Sequence, residues 1–324
     1  MAETRKGRGE IRASVDPPDD PQRIDAVAKT ALLDRIDKIA SHAKERAGRG
    51  GDEPSDSMQP PDAKPRQLAP VIQLPIWPDP HRAIPNPFAR SALFTVGNSR
   101  RKREHFVQKT IDTFGNVEIT YTGEELRQDD EDVFLQLLHI SRISPLGEEI
   151  EFTAHQMLKS LNWPTNKPAY DRLRRTIHRL SATGVTVSAD HGRYGYNGSL
   201  VRYFAWKEPE GGNSKSWRVC LEPRIIALFG DTTYTRVVWE HRREVSSALA
   251  KWLLNLYSSH AKPYPMKVAT IHRYSGSTAS RMSGFRRQLK TALEQLVGVG
   301  FLNSFEIDGA DLVHVERVPV LRSE

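Results

Sequence analysis

Between positions 167 and 183 arginines stand at 172, 175 and 179, a spacing of i, i+3 and i+7 that places all three along one side of a helix. Leu173, Ile177 and Leu180 fall on a different side, so the segment predicts a helix with an apolar stripe and a basic one. Lys167 adds a cation at its start, and only Asp171 opposes the basic residues. A helix divided in this way can enter the major groove of a duplex, where each guanidinium can take phosphate oxygens or a guanine edge. A second stretch repeats the chemistry. Thr270 to Lys290 carries Arg273, Arg281, Arg286, Arg287 and Lys290 with no acid, while Phe285, Leu289, Leu293 and Leu296 supply an apolar side. Its approach, Ser275-Gly276-Ser277-Thr278-Ala279-Ser280, gathers hydroxyls, Ser277 and Ser280 among them, and backbone N–H groups where a helix N-terminus meets a phosphate. Either stretch alone also reads as a solvated face with an ordinary cap; two in succession point to duplex nucleic acid. RNA readers display aromatics on a sheet or a Gly-x-x-Gly loop, and neither pattern is evident. Arg193 and Tyr194 sit in a Gly/Asn-rich connection, where they read equally as a backbone-contacting tip and as a plain turn.

Catalysis finds few residues. There is no Gly-x-x-x-x-Gly-Lys-Ser/Thr phosphate loop, and a nickase would want two histidines flanking an apolar residue where Val313-His314-Val315 offers one. The acids Asp129, Asp130, Glu131 and Asp132 are contiguous, so they point round a helix and read as a solvated face rather than a metal site. The expectation is a binding protein with no cofactor and no metal. Lys and Arg total 47 against 40 Asp and Glu, a formal charge of +7 that favours a polyanionic partner. One cysteine, Cys220, cannot form an internal disulfide, and no apolar run approaches the length of a membrane span, so a soluble cytoplasmic protein is expected.

These groups need elements to hold them. Residues 1–66 are rich in Pro, Gly, Asp and Arg and read as a disordered tail, with an amphipathic helix over 24–47 as the exception. A Pro-rich linker spans 67–87; its apolar residues Val71, Ile72, Leu74, Ile76 and Trp77 must pack on a domain or a partner. Strands are expected at 89–96 and 117–121, and the basic run 100–103 in an exposed loop. Helices are expected at 124–143, 153–162 and 167–183, followed by a hairpin of 185–189 with 200–206. A bridging segment leads to helices at 246–260, 269–274 and 280–297 and a strand pair, 301–307 with 312–318. Helix, helix, helix, hairpin is the winged-helix order, so the predicted class is α+β, with winged-helix domains at 88–210 and 211–324 behind the tail.

Several strings also resemble the TrfA-type plasmid replication initiators: Trp77-Pro78-Asp79 with Arg82-Ala83-Ile84-Pro85-Asn86, Ala89-Arg90-Ser91-Ala92-Leu93-Phe94-Thr95, Ile119-Thr120-Tyr121-Thr122-Gly123 with Glu125-Leu126-Arg127, Tyr257-Ser258-Ser259-His260 and Pro263-Tyr264-Pro265. The resemblance runs from about Trp77 to the C-terminus. It implies an iteron-binding initiator whose tandem winged helices grip direct repeats in duplex DNA at a plasmid origin, melt the neighbouring DNA and help recruit the host helicase. By the same resemblance the second domain does most of the sequence reading, the first adds DNA contacts and a dimer surface, and a monomer–dimer equilibrium follows. Host initiator and sliding clamp are further implied partners. The clamp motif of that family, Gln-Leu-x-Leu-Phe, is matched only by Gln67-Leu68 and Gln73-Leu74, each followed by a proline and neither completed by Leu-Phe. A winged-helix repressor and an origin-nicking enzyme are the alternative readings.

Overall fold

The computed structural model describes residues 72–98, 101–189, 194–207, 216–229 and 233–319, and within them the chain is an α+β protein with two apolar clusters. The expected tail helix over 24–47, the Gln67-Leu68 pair and Arg193 lie outside the described residues.

The first unit runs through β1 (His81–Pro85), α1 (Asn86–Ala89), β2 (Phe94–Thr95), β3 (His105–Ile111), β4 (Val117–Glu124), β5 (Leu126–Arg127), α2 (Gln128–Ser141), β6 (Ile150–Thr153), α3 (Ala154–Ser160) and α4 (Lys167–Ser181). It continues with β7 (Gly184–Ala189), β8 (Tyr194–Gly198), β9 (Val201–Lys207), β10 (Ser216–Leu221), a 3-10 turn (Pro223–Leu228) and β11 (Tyr234–Val238). After α5 (Trp239–Glu244) the second unit comprises α6 (Ala248–Ser258), β12 (Met266–Lys267), α7 (Val268–Tyr274), α8 (Met282–Gly298), β13 (Leu302–Ile307) and β14 (Leu312–Arg317). Antiparallel sheets β3-β4-β7-β8 and β6-β10-β9 flank the first core, β1 pairs with β11, β2 runs parallel to β5, and β12-β14-β13 closes the second unit.

At the centre of the first core lies α2, whose Val133, Phe134, Leu135, Leu137 and Leu138 are all fully buried. A helix apolar round most of its girth has no solvent face to spare, so it must be covered on several sides. Phe88 and Phe94 pack on Phe134, and α4 contributes Leu173, Ile177 and Leu180. In the second unit α6 and α8 pack through Leu249, Leu253 and Leu256 against Phe285, Leu289 and Leu293.

Several expectations need correction. The proline-rich strip from residue 72 onward is part of the first unit rather than a linker: Leu74 and Trp77 are buried, and β1 pairs with β11 from His81↔Val238 to Pro85↔Tyr234. Proline is excluded from a helix interior but tolerated on an edge strand, and the apolar residues between the prolines supply the driving force for docking. Residues 89–96 form not one strand but the end of α1 and the short β2. The strand β3 was not anticipated, because apart from Phe106, which packs on Tyr121, its side chains are exposed up to Ile111 and no alternation marks it. The expected hairpin of 185–189 with 200–206 is replaced by another: β7 pairs with β8, from Val185↔Gly198 to Ala189↔Tyr194, while β9 joins β10 in the other sheet. Glycines at 195 and 198 disguise β8 as a turn. For the same reason residue 211 is not the boundary between cores; β10, the 3-10 turn and β11 pack into the first cluster, and the second begins at Val245.

Trp77 Nε1–H donates to His139 Nδ1 at 3.1 Å, which requires that nitrogen to be unprotonated. Burial first, and then Arg82 and Arg142, push the His139 imidazolium down to about 4. A folded pKa below the ordinary 6.5 means that the contribution of His139 to stability is complete above pH 6.5 and is lost as pH falls from there toward 4. His139→Gln keeps an acceptor for Trp77 and cannot charge. The stability advantage of the parent protein over this variant in urea titrations therefore shrinks across that window; an advantage independent of pH would contradict the assignment.

Candidate nucleic-acid interface

The helix α8 buries Phe285, Leu289, Ala292, Leu293 and Leu296, which turns Arg281, Arg287, Gln288 and Lys290 to solvent. Arg281, Arg287 and Lys290 make no ion pair with the described residues. Arg286 is different: Nε donates to Asp311 Oδ1 at 2.8 Å and Nη2 donates to Asp311 Oδ2, so the β13–β14 turn grips it through both carboxylate oxygens. No side chain caps the first turn of α8, and Ser280 just before it is exposed. The loop ahead is held in place. His272 Nε2 lies 3.0 Å from Ala279 O, the Ser277 hydroxyl accepts from Ala279 N at 3.3 Å, and Gly276 turns the chain with φ +63°, where a Cβ would come within 2.9 Å of the Thr95 methyl. This loop thus presses directly on the first unit. Val96 N donates to Ser275 O at 3.0 Å, and Phe114 stacks on Tyr274 with centroids 3.9 Å apart. Arg273 likewise reaches the first unit, donating to Asp112 at 2.6 Å while staying exposed.

In the first unit α4 is capped by Asn166, whose side chain accepts from Ala169 N at 3.1 Å. Lys167 and Arg175 stand exposed without an ion pair to the described residues. The other two arginines of the stripe depart from expectation. Arg172 stacks 3.8 Å over Trp163 and donates to Asp129 at 3.1 Å, yet its side chain keeps 45% exposure. Arg179 keeps only 11%: Nε donates to Glu124 at 3.0 Å and Nη1 to Asp130, so its guanidinium is spent inside the unit and is not presented to a ligand.

Those partners overturn the reading of residues 129–132 as a solvated face. Asp130, Glu131 and Asp132 are buried, with 0%, 1% and 5% exposure. Although burial opposes it, Arg103 and Arg172 together hold the Asp129 carboxyl below its usual range. Burial, reinforced by the charge of Asp129, pushes Asp130 up to about 6 despite Arg103 and Arg179, and burial lifts Glu131 to about 7 against the pull of Arg242. Contiguous acids do point round the helix; here each direction meets an arginine from a different element. Among the described residues no group of three or more His, Cys, Asp or Glu is placed to hold a metal ion.

Between the units lies an open cleft of about 710 Å³ lined by Trp163, Arg172, Lys251, Ser277, Thr278 and Gln288. It brings Arg172 of α4 and Ser277 of the loop before α8 to the same space. Lys251 and Gln288 were missed from sequence because α6 was read for its apolar face alone and α8 for its apolar side and its cations, not for a neutral amide. Gln73 and Leu74 are not available as a docking peptide: Gln73 Nε2 donates to Arg142 O at 3.1 Å, and Leu74 is 2% exposed in the first core. No helix among the described residues is long and apolar enough to cross a membrane.

Comparison with known proteins adds family evidence to this geometry. The family model described as TrfA protein matches residues 61–317. The plasmid replication initiator protein TrfA of Escherichia coli is 35% identical over 243 residues, which cover 74% of this chain and 63% of that protein, so the chain spans less than two thirds of its relative's length. Among solved structures, domains 2 and 3 of RctB align over 72% of this chain and 98% of theirs, with a TM-score of 0.51 and 14% identity, a likeness of fold. The Pi initiator protein in complex with iteron DNA aligns over 59% of this chain and 92% of its own, with a TM-score of 0.45 and 14% identity.

Proposed function

Because the chain belongs to the TrfA family, we propose that it is a plasmid replication initiator that binds direct repeats in duplex DNA at the origin, promotes local melting and recruits the host helicase. The observation that carries this reading is the solvent face of α8, where Arg281, Arg287 and Lys290 stand uncompensated beside Arg286 and behind an uncapped first turn. The order α6, α7, α8, then the β13–β14 hairpin with β12 alongside, supports a winged helix in the second unit. In the first unit α2, α3, α4 and the β7–β8 hairpin give the same order, and the two together a tandem winged-helix protein. In this reading α8 lies in the major groove, while Lys167, Arg172 and Arg175 take phosphates from the first unit.

The protein acts by binding and not by catalysis, in the bacterial cytoplasm on plasmid DNA. It exchanges between monomer and dimer, and it meets the host initiator as well as the helicase. A contact with the sliding clamp falls to Gln67 and Leu68, since Gln73 and Leu74 are committed to the first core. Footprinting on the plasmid that carries the gene tests the reading. Protection of tandem direct repeats beside an AT-rich stretch, with permanganate-reactive thymines in that stretch, is the expected result. Protection confined to a palindrome at a promoter would replace initiation by repression, and relaxed circles formed from supercoiled plasmid with Mg²⁺ would reveal a nickase.

A further inference from the structure

We propose that Asp311 fixes Arg286 as the guanine-reading side chain of α8, an assignment that rests on the duplex-binding reading above. Of the cations on this helix, only Arg286 is held by a carboxylate among the described residues, and it is held at a defined edge. Nε and Nη2 face the two oxygens of Asp311, which leaves the adjacent end-on edge of the guanidinium, Nη1 and the second Nη2 hydrogen, with two parallel donors. That pair matches the O6 and N7 acceptors which guanine presents in the major groove. Both side chains keep about two fifths of their surface, 42% for Arg286 and 40% for Asp311, so the pair is reachable from solvent. Its place suits a base contact too, because Arg286 lies on the second turn of α8 and the N-terminal part of a recognition helix is what meets base edges.

The carboxylate is itself held firmly. Asp311 sits in the left-handed region at φ +61°, with its N–H on Asp308 O at 3.1 Å and its carbonyl accepting from Val268 N at 2.9 Å, so the turn is tied to the start of α7. Asp308 Oδ1 accepts from Ala310 N at 2.8 Å and Leu312 N at 2.9 Å, and its Oδ2 lies 3.0 Å from His314 Nε2. A guanidinium fixed in this way has little freedom left to lose when it meets a base, whereas Arg287 and Lys290, unheld, suit phosphate.

The test uses the full chain and a duplex bearing one direct repeat, in which each guanine in turn is replaced by 7-deazaguanine, with a scrambled duplex as comparison. The parent protein loses about tenfold in affinity at one deaza position. Arg286→Ala is indifferent to that position. Asp311→Asn suits the left-handed turn and so keeps the fold. It shrinks the deaza penalty several-fold, binds the scrambled duplex more tightly and steepens the salt dependence, because the released guanidinium turns to phosphate. The double variant behaves as Arg286→Ala does. A purely structural role for Asp311 would weaken both duplexes alike and leave the deaza penalty intact, and that result overturns the assignment. So does a deaza penalty that survives in Arg286→Ala, since the guanine would then be read elsewhere. Failure of the parent protein to bind any duplex would instead remove the reading on which this inference stands.

Discussion

Arg242→Ala lowers the unfolding free energy by about 3–5 kcal/mol, the loss found when one partner of a buried ion pair is deleted and the other charge stays behind. Arg242 is completely buried and spends its donors on both units' helices: Asp132 at 2.7 Å, Glu131 at 2.8 Å and Gln128 at 3.1 Å on α2, and Asn255 Oδ1 and Lys251 O at 3.1 Å on α6. Without it Glu131 loses its cation, Asp132 keeps only Lys251, and three neutral acceptors face an empty space. Glu131, 1% exposed, cannot reach water without opening the contact between the units. Urea unfolding followed by circular dichroism measures the loss. Arg242→Lys recovers only part of it, because an ammonium cannot serve acceptors spread across the plane of a guanidinium. A loss below about 1 kcal/mol would mean that the cluster is solvated in solution, since exposed pairs contribute at that level.

Simultaneous replacement of Arg281, Arg287 and Lys290 by alanine weakens duplex binding about a hundredfold at roughly 0.15 M salt and flattens the plot of log affinity against log salt by about three. Each cation on a phosphate releases about 0.9 of a counterion, which is worth about 0.7 of a log unit at that salt, so three together approach two log units. The fold should be indifferent, because all three side chains are exposed and make no ion pair with the described residues. Arg179→Ala provides the contrast. Its guanidinium is bound to Glu124 and Asp130, so it costs stability while leaving the salt dependence where it was. Fluorescence anisotropy on a repeat duplex at several salt concentrations reads both. An unchanged salt slope in the triple variant would place the DNA on another face.

The helices that carry the basic residues were legible because helical periodicity is a local signal. The bounds of α4 and α8 fall within a few residues of those expected, and their apolar stripes are the ones that become buried. What could not be read was the company those residues keep. Arg179 sits on the same side of its helix as Arg175, yet it is neutralised by Glu124 at the end of β4 and Asp130 on α2, which lie far away in sequence. Contiguous acids on α2 carry no sequence mark of burial, since their partners Arg103, Arg172, Arg179 and Arg242 come from other parts of the chain. Nothing local marks Asp311 either: only tertiary folding sets the hairpin turn beside Arg286. The strand β8 was hidden by its glycines, and the Pro-rich approach by prolines that argue against helix without excluding a buried extended segment.

In the proposed complex the exposed face of α8 lies against duplex DNA in the direct repeats. Arg287→Cys, labelled with a photo-cross-linker, tests it most directly, since the native Cys220 is buried and leaves position 287 as the reactive thiol. Irradiation on the origin plasmid should give cross-links confined to the repeats, at one major-groove position in each, while the same label at Glu118→Cys on β4 gives none. Repeat binding that persists without any cross-link from position 287, or cross-links as frequent from position 118, would contradict it.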